Sequence, residues 1–164
     1  MFLTSVHTFA ERRGIVVATV LCIAASLLLP GSAFAQGDEP VYTARFSSLA
    51  AKGHDVVAYF TVGSPTEGSK DHEVEYRGAT WRFASADNKA LFEADPERYA
   101  PRYGGYCAWA MAQGKKAPGD PRYWKITGDR LYLNYSANVQ KDWEVDIPGF
   151  IASADDEWAQ LTSP

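Results

Sequence analysis

Few residues of this chain could bind a metal ion or act as a nucleophile. Beyond residue 35 of the 164-residue sequence, Cys107 is the only thiol, Met111 the only thioether, and His54 and His72 the only imidazoles. Alanine and methionine favour helix, so we expect a short helix that carries Cys107 and Met111 on one face. Thiolate, thioether and imidazole together suit copper, and thiolate with imidazole also suits zinc. The sequence therefore predicts a site for copper first and zinc second, centred on Cys107 and His54, with Met111 and His72 as further ligands.

Aromatic residues lie close to the cysteine in sequence and suggest other ligands. Tyr103, Tyr106 and Trp109 can each line a pocket and hydrogen-bond through a polar tip. One alternative is therefore a module that binds a small molecule or a partner protein in an aromatic cleft. Another is a thiol-dependent enzyme, in which Cys107 pairs with His54 and a helix N-terminus lowers the pKa of the thiol. The absence of C-x-x-C, Gly-x-Ser-x-Gly and phosphate-binding glycine motifs from the sequence favours a binding protein over an enzyme.

The first 35 residues have the pattern of a secretory signal peptide. Arg12 and Arg13 precede an apolar run at 15–29, and residues 33–35 read Ala-Phe-Ala, an A-x-A cleavage site. The run is too short to favour a membrane-spanning helix. The paired arginines fit either the general secretory route or, as a partial motif, the twin-arginine route. We therefore expect cleavage after Ala35 and a periplasmic or secreted protein without membrane attachment.

The charge balance and the cysteine count restrict the partners. Of the 16 basic and 20 acidic residues, the predicted signal peptide contains Arg12, Arg13 and Glu11, which leaves 14 basic and 19 acidic residues and a net charge of −5. This negative charge argues against nucleic acid and anionic membrane surfaces as partners. A lone cysteine cannot form an internal disulfide. In an oxidising compartment, Cys107 would have to be buried, metal-bound, reactive or paired with another molecule.

Periodicity and turn residues predict one α+β domain, in which a small antiparallel sheet built from hairpins packs against helices. Alternating apolar residues predict hairpins over 73–83 and 124–134, and β-branched and aromatic residues predict a strand over 56–61. Serine caps and prolines predict three helices, at 86–94, from a cap at Ser136 through about 143, and at 148–161, with a turn starting at 96–99. The residues expected to face inward from these helices are Leu91, Phe92, Phe150, Ile151, Trp158 and Leu161. Residues 36–52 are expected to be an N-terminal tether, and residues 53–161 the domain.

Five stretches of the chain carry a recognisable order of motifs. They are GHDVVAYF at 53–60, YRGATWRFAS at 76–85, LFEADPERY at 91–99, YGGYCA at 103–108 and LYLNY at 131–135. Together they resemble the YHS-domain family, in its exported single-domain bacterial form. Metal binding, with copper as one candidate, is proposed for that family because related short domains accompany copper-transporting ATPases. The resemblance therefore implies a metal-binding protein.

This chain departs from the thiol-rich pattern of the short YHS domains. The cysteines of those domains stand where this sequence has Ala58, Ala84 and Asn88. None of these side chains can replace a thiolate as a ligand for a soft metal ion. The thiol-rich site cannot be carried over, so a metal site in this chain would have to be built differently, with Cys107 at its centre.

Overall fold

Two hairpins and a series of short helices make up residues 40–163, the part of the chain that the computed structural model describes. The predicted signal peptide, its cleavage site after Ala35 and residues 36–39 of the predicted tether lie outside the described residues. Within the described range, no helix is long and apolar enough to cross a membrane. The predicted α+β class is confirmed, and the described residues form one compact domain.

The strands form two separate two-stranded antiparallel sheets, not one small sheet. The first pairs β1 (Ser69–Tyr76) with β2 (Ala79–Phe83), and the second pairs β3 (Asp120–Thr127) with β4 (Arg130–Asn134). Both predicted hairpins are confirmed. The first strand of each begins earlier than predicted, because each is extended by an irregular register before the regular pairing starts.

Both hairpin turns have the backbone geometry that their sequences favour. Arg77 and Gly78 have φ angles of 49° and 72°, and Gly128 and Asp129 have φ angles of 56° and 58°. A two-residue turn with both central residues in the left-handed region matches the twist of the strands on either side, and glycine and aspartate adopt that region most readily. The turns therefore fix the register of each hairpin locally.

Residues 58–61 correct one prediction. Ala58–Thr61 is a helix (α1) and not a strand. The carboxylate of Asp55 accepts hydrogen bonds from the backbone N–H groups of Val57 and Ala58, at 2.8 and 3.1 Å, and so caps the first turn of the helix. Capping of this kind outweighs the β propensity of the valines and aromatic residues in this stretch.

Helices α2 and α5 begin where their serine caps predict. Ser85 caps α2 and Ser136 caps α5 through hydrogen bonds from the N–H groups of Asn88 and Val139. The helices are α2 (Ala86–Ala94), α3 (Pro96–Tyr99), α4 (Ala108–Met111), α5 (Ala137–Glu144) and α6 (Ile147–Thr162). Phe92 and Trp158 face inward as predicted, but Leu91 and Leu161 are each 41% exposed. Leu91 is adjacent to Phe92, so the two point in different directions around the helix, and Leu161 lies in the last turn of α6.

Strand β4 divides the core into two clusters. Leu131 and Leu133 pack into the first cluster, which includes Trp81 and Phe92. Tyr132 packs into the second, whose larger members are Tyr103, Met111, Trp143 and Trp158. Successive strand residues point to opposite faces, so β4 is buried on both sides. Its last residue, Asn134, is fully buried beside Cys107.

Part of the predicted tether also packs on the domain. The N–H of Tyr42 donates to the carbonyl of Gly104 at 2.9 Å, and the N–H of Ala50 donates to the carbonyl of Thr80 at 3.0 Å. Ala50 is buried in the first core cluster. These contacts attach residues 41–52 to both the first hairpin and the turn that precedes Cys107.

Candidate functional site

Cys107 is fully buried at the position immediately before α4. Its N–H donates to the carbonyl of Ala117 at 2.9 Å, and its own carbonyl accepts from the N–H of Met111 at 2.9 Å. Its backbone also forms a parallel bridge with Leu133 of β4. Helix, loop and strand therefore hold the cysteine backbone in place.

The side chain of Asn134 lies beside this thiol. Its Oδ1 accepts from the backbone N–H of Trp109 at 3.3 Å and lies 3.7 Å from the Sγ of Cys107. Because a backbone N–H can donate only to the oxygen of the carboxamide, the Trp109 contact fixes which end of the amide faces the cysteine. The Nδ2 of Asn134 is buried and has no hydrogen-bond partner among residues 40–163. An unpaired buried donor of this kind costs about 1–3 kcal/mol.

Two opposing effects act on the pKa of the Cys107 thiol. Burial raises the pKa of the thiol, while backbone hydrogen bonds from Ala110, Tyr135 and Trp109 act to lower it, and the burial effect is larger. The thiol is therefore protonated at neutral pH. This is the opposite of the lowered pKa expected for a thiol-dependent enzyme. The same backbone donors would stabilise a thiolate once the proton has been exchanged for a cation.

The other predicted ligands lie on several different elements. Met111 ends α4 and is fully buried in the second core cluster. His54 forms a backbone bridge with Glu67, and its Nδ1 is buried without a hydrogen-bond partner in the described chain. His72 lies half-buried in β1.

No group of at least three His, Cys, Asp or Glu side chains that could hold a metal ion occurs among residues 40–163. A structural zinc ion takes four ligands, nearly always nitrogen and sulfur atoms in a tetrahedron. The described residues do not fit that site.

The three predicted aromatic residues each make a different set of contacts. Tyr103 is buried in the second core cluster, where its hydroxyl donates to the Oδ1 of Asp155 at 3.0 Å. Tyr106 packs against Tyr42, with ring centroids 5.4 Å apart. Trp109 is half-buried, and its N–H is the donor to Asn134. These three residues therefore connect the Cys107 segment to its surroundings in three different ways.

A second buried polar centre surrounds Asp55. Asp55 is fully buried, and its Oδ1 receives the two hydrogen bonds that cap α1. Its Oδ2 accepts from the backbone N–H of Ala84 at 2.8 Å and from the Nδ2 of Asn88 at 2.6 Å. One carboxylate thus joins the start of α1 to the junction between β2 and α2.

A comparison with protein-family models identifies part of this chain. The family model of the YHS domain matches residues 57–103, which include α1, the first hairpin and α2. These residues of the chain are therefore similar to the YHS domain. No curated protein and no solved structure matched it. The matched segment ends at Tyr103, so Cys107, Met111 and Asn134 lie beyond it.

The Asp55 centre also contacts the three residues that the resemblance to short YHS domains singles out. Ala58, Ala84 and Asn88 all hydrogen-bond to the Asp55 carboxylate. They contribute two backbone N–H groups and a side-chain amide, which are donors to a carboxylate and not metal ligands.

Sequence reasoning identified Cys107 but missed both buried polar residues that define these centres. Asp55 could have been found, because an aspartate shortly before a helix start is a recognised capping signal. Asn134 ends a predicted strand and carries no local signal, because its contacts are 25 and 27 residues away in sequence.

Proposed function

We propose that this protein is a binding protein, and not an enzyme, that holds one copper ion as Cu(I) through Cys107. The observation that carries the proposal is the enclosed sulfur, with backbone N–H donors directed at it and the unpaired amide of Asn134 beside it. Metal binding is the function proposed for the YHS family. Our proposal goes further and names the ion, Cu(I), and the ligand residue, Cys107.

The available donors favour copper over zinc. Cys107 and Met111 are the sulfur ligands of residues 40–163, and both are fully buried. Soft thiolate and thioether ligands select Cu(I), whereas zinc sites in proteins normally assemble four ligands. His54 supports the proposal as a further ligand because its buried Nδ1 has no hydrogen-bond partner in the described chain. Met111 and His72 are the optional ligands.

Copper uptake would have to displace the proton of a buried thiol. Burial keeps the pKa of Cys107 above its usual range, so protons compete with the metal, and the affinity for Cu(I) should fall as the pH is lowered. Because Cys107 is fully buried, the ion can reach the sulfur only through local opening. Uptake should therefore be slow in the native protein and faster when mild denaturant increases the open population.

The decisive experiment titrates the purified protein with Cu(I), Cu(II) and Zn(II) in the presence of a competing chelator. The expected result is binding of one Cu(I) per chain, lost in Cys107→Ala and weakened in His54→Ala. Met111→Leu retains the volume but removes the sulfur, and His72→Ala tests the second imidazole, so these two variants identify any third ligand. Equal uptake by the wild-type protein, Cys107→Ala and His54→Ala would rule out the proposed site.

The export of the protein is a separate proposal. The sequence pattern of residues 1–35 supports removal of a signal peptide and a periplasmic or secreted location. N-terminal sequencing of the protein recovered from the periplasm or medium should give Gln36 as the first residue. An intact N-terminus on the recovered protein would contradict cleavage after Ala35.

A further inference from the structure

A polar cleft of about 80 Å³ opens on the side of the domain that contains Tyr103. It lies between the β1–β2 turn, α3, the turn at Arg102–Gly105, the start of β4 and α6. Its charged and aromatic lining residues are Arg77, Glu97, Arg102, Tyr103, Arg130 and Trp158. Arginines from three separate elements therefore meet around one small space.

The guanidinium groups of Arg77 and Arg102 are held in fixed orientations. Arg77 stacks over the ring of Tyr76 at 5.2 Å, and Arg102 stacks over the ring of Tyr103 at 5.4 Å. The side chain of Arg77 is only 13% exposed, and its Nη2 lies 2.8 Å from the Oε1 of Glu97. Stacking and partial burial reduce the conformational freedom that each arginine would lose on binding a ligand.

Among the described residues, Arg130 is a positive charge of the cleft without a carboxylate partner. Its Nη1 donates to the backbone carbonyl of Glu97 at 2.9 Å, and it forms no ion pair with a carboxylate in the described chain. Among the described residues that line the cleft, there are three arginines and one acid, Glu97. Arg102 is paired from outside the lining by Asp155, at 2.6 Å. The cleft is thus positive on a chain whose net charge is −4.

We propose that this cleft is a binding site for a compact oxyanion such as phosphate, sulfate or a small dicarboxylate. Guanidinium groups present paired N–H donors that match the oxygen atoms of such anions. A space of this size holds several water molecules, each of which needs about 10–15 Å³, and therefore has room for one small oxyanion. The site is separate from Cys107 and does not depend on the proposed copper binding.

The test measures binding of inorganic phosphate, sulfate, oxalate and chloride to the purified protein by calorimetry and thermal denaturation, at constant ionic strength. We expect saturable binding of at least one of the divalent anions and none of chloride. Tighter binding of phosphate or sulfate than of oxalate would indicate that the natural ligand presents a tetrahedral group. Tighter binding of oxalate would indicate a planar group. At tenfold excess over Kd, the melting temperature should rise by about 3 °C or more.

Variants assign the binding to the cleft. Arg130→Gln should weaken the affinity for the anion about tenfold or more, because it removes a charged donor. Arg98→Gln is the matched control, since Arg98 adjoins Glu97 in sequence but pairs with Asp129 at 3.4 Å and does not line the cleft. The proposal is overturned if no divalent anion binds, or if Arg130→Gln and Arg98→Gln change the affinity equally.

Discussion

Asp55 and Asn134 are both fully buried polar residues, but only one of them has all of its hydrogen-bonding groups paired. The Asp55 carboxylate accepts from Val57, Ala58, Ala84 and Asn88. The Asn134 carboxamide accepts a backbone hydrogen bond and contacts the Cys107 sulfur, while its Nδ2 has no partner in the described chain. The Asp55 carboxylate is thus fully used in joining parts of the fold, whereas Asn134 keeps one unpaired donor beside Cys107.

The Asp55 centre is built from hydrogen-bond donors to one carboxylate. The backbone N–H groups of Ala58 and Ala84 and the side-chain amide of Asn88 converge there. At Cys107, by contrast, the ligand chemistry is present, and an unpaired donor remains beside it at a cost in stability. Natural proteins retain such costs chiefly where a function requires them.

The largest expected effect is the loss of stability on removing the Asp55 carboxylate. Asp55→Ala leaves its buried donors unpaired and should lower the free energy of unfolding by about 3–5 kcal/mol, measured by urea denaturation. Asp71→Ala is the control, because Asp71 is an exposed carboxylate on β1, and its removal should cost less than about 0.5 kcal/mol. Similar costs for the two variants would show that Asp55 does not organise the fold.

The second prediction separates stability from metal affinity at Asn134. Asn134→Leu removes the unpaired amide and should change stability by less than about 1.5 kcal/mol, because the loss of one acceptor is offset by the loss of a buried unsatisfied donor. The same variant should weaken the affinity for Cu(I) about tenfold, as is typical when a group next to a metal ligand is removed.

Asn88→Leu is the converse control. It alters the amide that donates to Asp55 and should reduce stability without changing Cu(I) affinity. If both asparagine variants had the same effects on stability and on copper, the assignment of different roles to the two centres would be wrong.

The third prediction concerns the pH dependence of Cys107. Burial raises the pKa of this thiol, so the stability that it contributes is complete at neutral pH and is lost as the pH rises through the raised value. Thermal denaturation of wild-type protein and Cys107→Ala should diverge only above about pH 8.5, the ordinary pKa of cysteine. Reaction with a thiol reagent should also be slow in native protein. Rapid labelling at pH 7 would contradict an enclosed, protonated thiol.

The smallest expected effect comes from Asp120, a carboxylate paired near the surface. Hydrogen bonds from Arg122 and Lys52 hold the pKa of Asp120 below its usual range. Its stabilising contribution is therefore present above the ordinary aspartate pKa of about 3.9 and is lost as the pH falls below it. Because the side chains of Lys52 and Arg122 are 40% and 70% exposed, the effect should be at most about 1 kcal/mol. Asp120→Asn should unfold with a weaker dependence on acidic pH than the wild type, and an unchanged dependence would argue against these pairs.

Local signals predicted most of the fold, and contacts between distant residues account for the errors. The two hairpins and the serine-capped helices are specified by residues within each element, such as Gly78 and Ser85. Helix α1 was assigned as a strand because its cap, Asp55, is held in place by Ala84 and Asn88, about 30 residues further along the chain.

The candidate site was predictable only in part for the same reason. The scarcity of sulfur in the sequence identified Cys107 and Met111 as candidate ligands. Asn134 reaches Cys107 only because β4 runs beside the cysteine, and no local pattern encodes that approach. The arginine cleft was missed as well, since Arg77, Arg102 and Arg130 come from separate elements that only the folded chain brings together.

X-ray absorption at the copper edge of protein loaded with one equivalent of Cu(I) tests the proposed function most directly. The account predicts sulfur in the first coordination shell of the wild-type protein and its loss in Cys107→Ala. A first shell made only of nitrogen and oxygen, unchanged by Cys107→Ala, would show that the buried thiol is not the copper ligand.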